Sequence, residues 1–122
     1  MHYPLFTSGK YHPSIPEVKP LWDTLYKAGA DVVLSAHDHN YQRFAPQDPD
    51  GRADPERSMR EFVVGTDAKS HYKIETTLPN SEVQNDNTYG VLKLTLHPRS
   101  YDWRFIPVED EAFTDSGRGR CR

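Results

Sequence analysis

The chain reads as an α/β protein, and three observations carry that reading. Val18, Leu21, Trp22, Leu25 and Tyr26 recur at three- and four-residue steps, giving one apolar helical face. Val32-Val33-Leu34 is a short, continuous, β-branched run of the kind that forms a strand covered on both faces. Leu92, Leu94 and Leu96 then alternate with Lys93 and Thr95, and Tyr101, Trp103 and Phe105 alternate on the way back.

Taken in order, residues 1–12 read as the end of a strand running into a loop, with Pro4, Ser8 and Gly9 as breakers. The helix that follows has Ser14 and Glu17 at capping-box spacing and Pro16 at its first position. Pro20 is compatible with it only in the first turn, and Gly29 suits a left-handed stop. After the strand at residues 32–34 comes Ala45 to Arg60, rich in Pro, Asp and Arg and long for a loop in a compact domain. Within it, Asp48-Pro49-Asp50-Gly51 lacks the ordered ligands of a calcium loop and reads as a turn. Glu61 to Gly65 is a further strand, and Thr66 to Asn87 a polar surface loop. The alternating segments form an antiparallel hairpin turning at His97-Pro98-Arg99-Ser100, its aromatic stripe serving as sheet packing. Residues 114–122, with three arginines and two glycines, are expected to be a mobile tail after a domain spanning 1–113.

Size and composition narrow the function classes. The chain has 122 residues and a formal net charge of -3, which gives no electrostatic case for nucleic acid as a partner. Leu, Ile, Val and Phe number 8, 3, 8 and 5, a low share for a self-sufficient core. Either a piece of a larger globule or a loop-rich domain fits that share. No segment approaches the roughly 20 apolar residues of a membrane span, and no basic-then-apolar leader is encoded. The single Cys121 reads as a free thiol in a frayed end.

Chemistry is concentrated in the histidines. His37-Asp38-His39 directly follows the apolar run, and loops past the carboxyl end of such strands gather reactive groups. His2 and His12 lie in the opening segment. Neutral imidazoles suit zinc, iron and manganese, and two histidines diverging in a tight loop can serve two neighbouring ions. Two metals about 3.5–4 Å apart are a known solution for in-line attack on phosphorus. His71 and His97 stand apart and read as ordinary surface or loop residues.

The segments His2-Tyr-Pro-Leu-Phe-Thr-Ser-Gly9, Leu21-Trp-Asp-Thr-Leu-Tyr26 and Gly29-Ala-Asp-Val-Val-Leu-Ser-Ala-His-Asp-His-Asn-Tyr-Gln-Arg-Phe44 resemble the calcineurin-like metallophosphoesterases. Within them the likeness is to the purple-acid-phosphatase-related branch, and it continues through Phe62-Val-Val-Gly-Thr66 and Thr88-Tyr-Gly-Val-Leu-Lys-Leu94. The resemblance implies the carboxyl-terminal half of a four-layer α-β-β-α sandwich ending in an antiparallel hairpin. It implies two divalent or trivalent transition metals (Fe, Zn or Mn) in the complete domain, with His2 and His37 on one and His39 on the other. It further implies that His12 contacts the phosphate and protonates the leaving alcohol, a role that suits an imidazole. Metal-bound hydroxide would attack a phosphate mono- or diester. A secreted or periplasmic parent is implied as well. Asp38 reads as a loop residue or a partner to a histidine, and Tyr41 and Arg43 as packing and an ion pair.

The chain departs from the family where the carboxylate ligands belong. No Gly-Asp pair occurs, and Asn40, Asn80, Asn85 and Asn87 are each followed by a residue other than His. Three imidazoles without a bridging carboxylate supply no negative charge to hold two cations together. The expectation is therefore at most one weakly bound metal and little or no turnover by this chain alone. The missing amino-terminal half would be the natural partner, and an open sheet edge would allow self-association. Ala36 and Asp67-Ala68 replace glycines of the family pattern. A non-catalytic truncated metal-binding or interaction module, and a plain α/β domain without metal, are the alternative readings.

Overall fold

A computed structural model describes residues 1–56 and 59–122. The order of elements is a single 3-10 turn (Pro16–Val18), α1 (Lys19–Lys27), β1 (Val32–Ser35), β2 (Tyr41–Phe44), β3 (Arg60–Val64), β4 (Ser81–Asn85), β5 (Gly90–His97), β6 (Ser100–Pro107) and β7 (Ser116–Arg120). Among the described residues the protein is α/β, mostly sheet with one short α-helix.

α1 forms where its apolar period placed it, but not through the expected cap. Ile15 precedes the 3-10 turn with no side-chain cap bond, and the Ser14 hydroxyl instead accepts the Thr7 N–H at 3.1 Å. Pro20 does lie in the first turn of α1. The helix stops at Gly29 with φ of 81°. There the Gly29 N–H reaches Tyr26 O at 3.1 Å and the Ala30 N–H reaches Leu25 O at 3.0 Å, the paired bonds of a Schellman stop.

Two sheets stack. The first has the order β1-β3-β2-β4, with β1 parallel to β3 and the other pairs antiparallel. The second is the antiparallel meander β5-β6-β7. Tyr41 and Phe62 from the first sheet pack against Tyr101, Trp103 and Phe105 from the second, forming the inter-sheet core. The opposite face of the first sheet is covered by α1, through a cluster of Leu5, Trp22, Val33 and Met59.

Four expectations are corrected. Residues 114–122 are not a mobile tail: β7 pairs with β6 along its length, and Asp115 is buried. The two glycines are the physical reason. A Cβ on Gly117 would fall 2.4 Å from the Trp103 ring, and one on Gly119 2.2 Å from the Tyr101 ring. They are therefore what lets a third strand lie against the aromatic stripe. Cys121 accordingly packs against the inter-sheet core rather than fraying. Thr66 to Asn87 contains β4, whose polar sequence conceals an edge strand held by β2 alone. Finally, β1 is not covered on both faces, since Leu34 is 43% exposed. The 45–60 segment carries a turn at Asp48–Gly51, closed by Gly51 N–H to Asp48 O at 3.0 Å. Arg57 and Ser58 of that segment lie outside the described residues.

Candidate metal centre

The site lies where β1 ends. Its first imidazole, His37, takes a left-handed backbone (φ 55°), so the strain of the loop falls on His37 and not on the neighbouring Ala36. The opening segment runs beside β1: Ala36 N–H donates to His2 O at 3.0 Å, and the amino group of Met1 donates to Leu34 O at 2.7 Å. These bonds set His2 against His37, with His2 Nε2 and His37 Nδ1 3.1 Å apart. His12 comes from the turn before the helix and lies against His37, with ring centroids 4.3 Å apart.

His39 diverges from this group. Its ring stacks on Tyr72 with centroids 4.0 Å apart and planes 9° from parallel. Nδ1 lies 3.0 Å from the Ser70 carbonyl, which fixes the tautomer with hydrogen on Nδ1 and leaves the Nε2 lone pair free to bind. Tyr72 also meets the His12 ring at 5.1 Å, so it bridges the His39 side to the His2/His12/His37 side. Tyr3 closes the other flank against His37 at 4.6 Å. Sequence reasoning gave no role to Tyr3 or Tyr72, because nothing in a single tyrosine distinguishes a ring in a cluster from a surface ring.

Electrostatics favour neutral imidazole at His37. Burial lowers its pKa first, and the charges of His12 and His2 lower it further, with Asp38 opposing. A neutral ring keeps the lone pair that a metal requires.

Asp38 is not presented to the centre. It is fully buried, and its Oδ2 takes the Thr7 hydroxyl while Gln42 Nε2 lies 3.4 Å away. Gln42 also donates to Thr7 Oγ1 at 2.8 Å and to Asn40 Oδ1 at 2.8 Å, and accepts Ser8 N–H at 2.8 Å. This polar knot pins residues 7–9 beneath the histidine loop. Gly9 is required there, because a Cβ would fall 1.7 Å from Asp38 Oδ2. Gly65 is required for the same loop, since a Cβ would meet the Asp38 carbonyl oxygen at 2.2 Å.

Tyr41 and Arg43 belong to the inter-sheet core. Arg43 donates to both oxygens of Asp115, at 2.7 and 3.1 Å, and also pairs with Glu82. The Tyr41 hydroxyl reaches Asp115 at 2.7 Å. Of the remaining histidines, His71 packs on Tyr89 and His97 pairs with Asp102.

Two nitrogens bound to one tetrahedral zinc stand about 3.3 Å apart. The His2/His37 pair fits that separation. Among the described residues, however, no group of three or more His, Cys, Asp or Glu side chains is arranged to hold a metal ion. The residues fit part of a metal site and do not fit a complete dinuclear one. No family model matches the chain, and no curated protein matches it.

Proposed function

We propose that this chain is the carboxyl-terminal part of a calcineurin-like metallophosphoesterase domain of the purple-acid-phosphatase-related branch. In that reading residues 1–113 and β7 together supply half of the four-layer sandwich, with α1 as one outer layer and β1–β4 and β5–β7 as two inner ones. His2 and His37 are ligands to one metal, His39 is a ligand to the other, and His12 faces the phosphate ester. The carboxylates that complete the dinuclear site come from the missing amino-terminal half. The observation that carries the reading is the 3.1 Å approach of His2 Nε2 to His37 Nδ1, with His12 packed on the same ring. Asp38 is fully buried with its Oδ2 engaged by the Thr7 hydroxyl, which supports the need for acids from elsewhere. A complete centre, once metal-bound, supplies a nucleophilic hydroxide near neutral pH.

One observation favours a second reading. With no third ligand arranged among the described residues, the chain also suits a non-catalytic module that keeps a partial metal site. Zinc titration of the pure chain, followed by assay on an aryl phosphate, tests both. The expected result is one weakly bound zinc, lost in His37→Ala, with no turnover. Absence of any zinc binding that depends on His37 overturns the metal reading. Turnover restored by adding a polypeptide that carries the missing acids selects the first reading over the second.

A further inference from the structure

Glu61 is fully buried in β3, on the strand face opposite Phe62, and among the described residues no lysine, arginine or histidine bonds its carboxyl group. A buried acid without a cation is costly and calls for a reason. Its two oxygens point to different segments. Oε2 accepts the Phe6 N–H at 3.1 Å, and the Leu5 N–H also bonds the carboxyl group. Oε1 lies 2.9 Å from Ser35 Oγ, and Ser35 Oγ is in turn 3.4 Å from Phe62 O. Leu5 and Phe6 lie just past His2, and Ser35 lies two residues before His37. One carboxyl group therefore joins the two chain segments that carry the paired imidazoles.

The site accepts either protonation state. An acid hydrogen on Oε1 can be given to Ser35 Oγ, whose own hydrogen then turns to Phe62 O. If Oε1 is ionised, Ser35 donates to it instead. Burial favours the protonated form, and the amino group of Met1 is the charge that opposes it. Isosteric glutamine reproduces the protonated form, with its amide nitrogen donating to Ser35 and its oxygen accepting from Phe6.

We propose that Glu61 is a positioning residue, a clamp between the opening segment and β1 that sets the separation of the His2 and His37 rings. The inference rests on the reading of His2 and His37 as a ligand pair. Its structural half can be tested without any metal.

The experiment compares the full chain with Glu61→Gln, Glu61→Leu and Ser35→Ala. Proton NMR reads the contact between the His2 and His37 rings, and zinc titration reads affinity. E61Q is expected to keep the ring contact and near-original zinc affinity. E61L, still folded as judged by the Trp103 indole signal, is expected to lose the contact and roughly 10–100-fold in affinity, as for loss of a group that orients a ligand. S35A, which cuts only the β1 arm, is expected to weaken the contact. An unchanged contact in folded E61L overturns the clamp. Should E61L not fold, an unchanged contact in S35A overturns it instead. If the original chain binds no zinc while the ring contact still responds to these changes, the metal reading fails and the clamp stands.

Discussion

Asp115 shows how much one side chain carries in this fold. It receives two bonds from Arg43, one from the Tyr41 hydroxyl and one from the Trp103 indole N–H at 3.2 Å. Burial alone would raise its pKa, but the bonds from Arg43 and Tyr41 outweigh that and hold it below the usual carboxylate range. A depressed acid adds stability above its unfolded pKa, and that stability is lost as pH falls through the folded value. Asp115→Ala would leave Arg43 without its bidentate partner in a site that is only 12% exposed. The expected cost is about 3 kcal/mol in chemical denaturation, as for other broken buried pairs. Glu61 has the opposite sign. Burial pushes it from 4.5 up to about 8. Between those values the folded chain holds a proton that the unfolded chain has released, so stability falls as pH rises across that window. Glu61 therefore contributes a fall in the denaturation midpoint as pH rises from 4.5 toward 8, opposed up to about 6.5 by the lowered His37, and Asp115 contributes a fall as pH drops below 3.8. Glu61→Gln should remove the Glu61 contribution, making the change in stability from pH 5 to 8 less negative than in the original chain, and leave the acid slope. An E61Q chain whose stability changes from pH 5 to 8 as the original's does would refute the assignment of that contribution to Glu61.

At the scale of elements, β7 separates what the sequence states openly from what it hides. The hairpin was legible because alternation in β5 and β6 has a period that side chains alone display, and the helix was legible for the same reason. β7 was not, since Ser116-Gly117-Arg118-Gly119-Arg120 has no apolar residue to alternate. Its strand character comes from what lies beneath, the Trp103 and Tyr101 rings that require hydrogen in place of a side chain. β4 was hidden likewise, being polar and held mainly by backbone pairing. The histidine loop was legible because it follows a β-branched run, but Tyr72 and Glu61 were not. Tyr72 arrives from a distant loop, and Glu61 sits in an apolar strand where alternation alone would point it either way. Gly117→Ala and Gly119→Ala discriminate a packed strand from a mobile tail. In a tail, alanine would be neutral or slightly stabilising. Against these rings it overpacks the sheet, and each substitution should cost about 1–3 kcal/mol, seen as a lowered melting temperature.

Over the whole molecule, the two sheets share a feature that neither shows alone. β1 and β4 end the first sheet and β5 and β7 the second, so four strands lie at sheet edges among the described residues. Of these, β1 is partly met by the opening segment through Ala36 N–H to His2 O and the Met1 amino group to Leu34 O. Between the β1 and β5 edges runs an open groove of about 400 Å³, lined by Met1, Leu34, Val64, Val91 and Leu92 among others. Leu34 is 43% exposed, Val91 57% and Leu96 77%. Open edges such as that of β5, beside exposed apolar side chains, are templates for another strand. In the proposed parent domain the missing half would cover them. In this chain alone the cheapest cover is a second copy, since identical edges can pair without new sequence. The chain should accordingly self-associate with rising concentration in analytical ultracentrifugation. Lysine on an edge strand opposes such pairing by placing charge where the partner must dock. Val91→Lys with Leu96→Lys on β5 should shift the population to monomer. The ring contact between His2 and His37 should be unchanged in that variant, because no hydrogen bond among the described residues joins β5 to the segments that carry them. A chain that sediments as a monomer at every concentration, or a lysine variant that associates as readily as the original, would show that the open edges are tolerated bare and would remove this support for an absent structural partner.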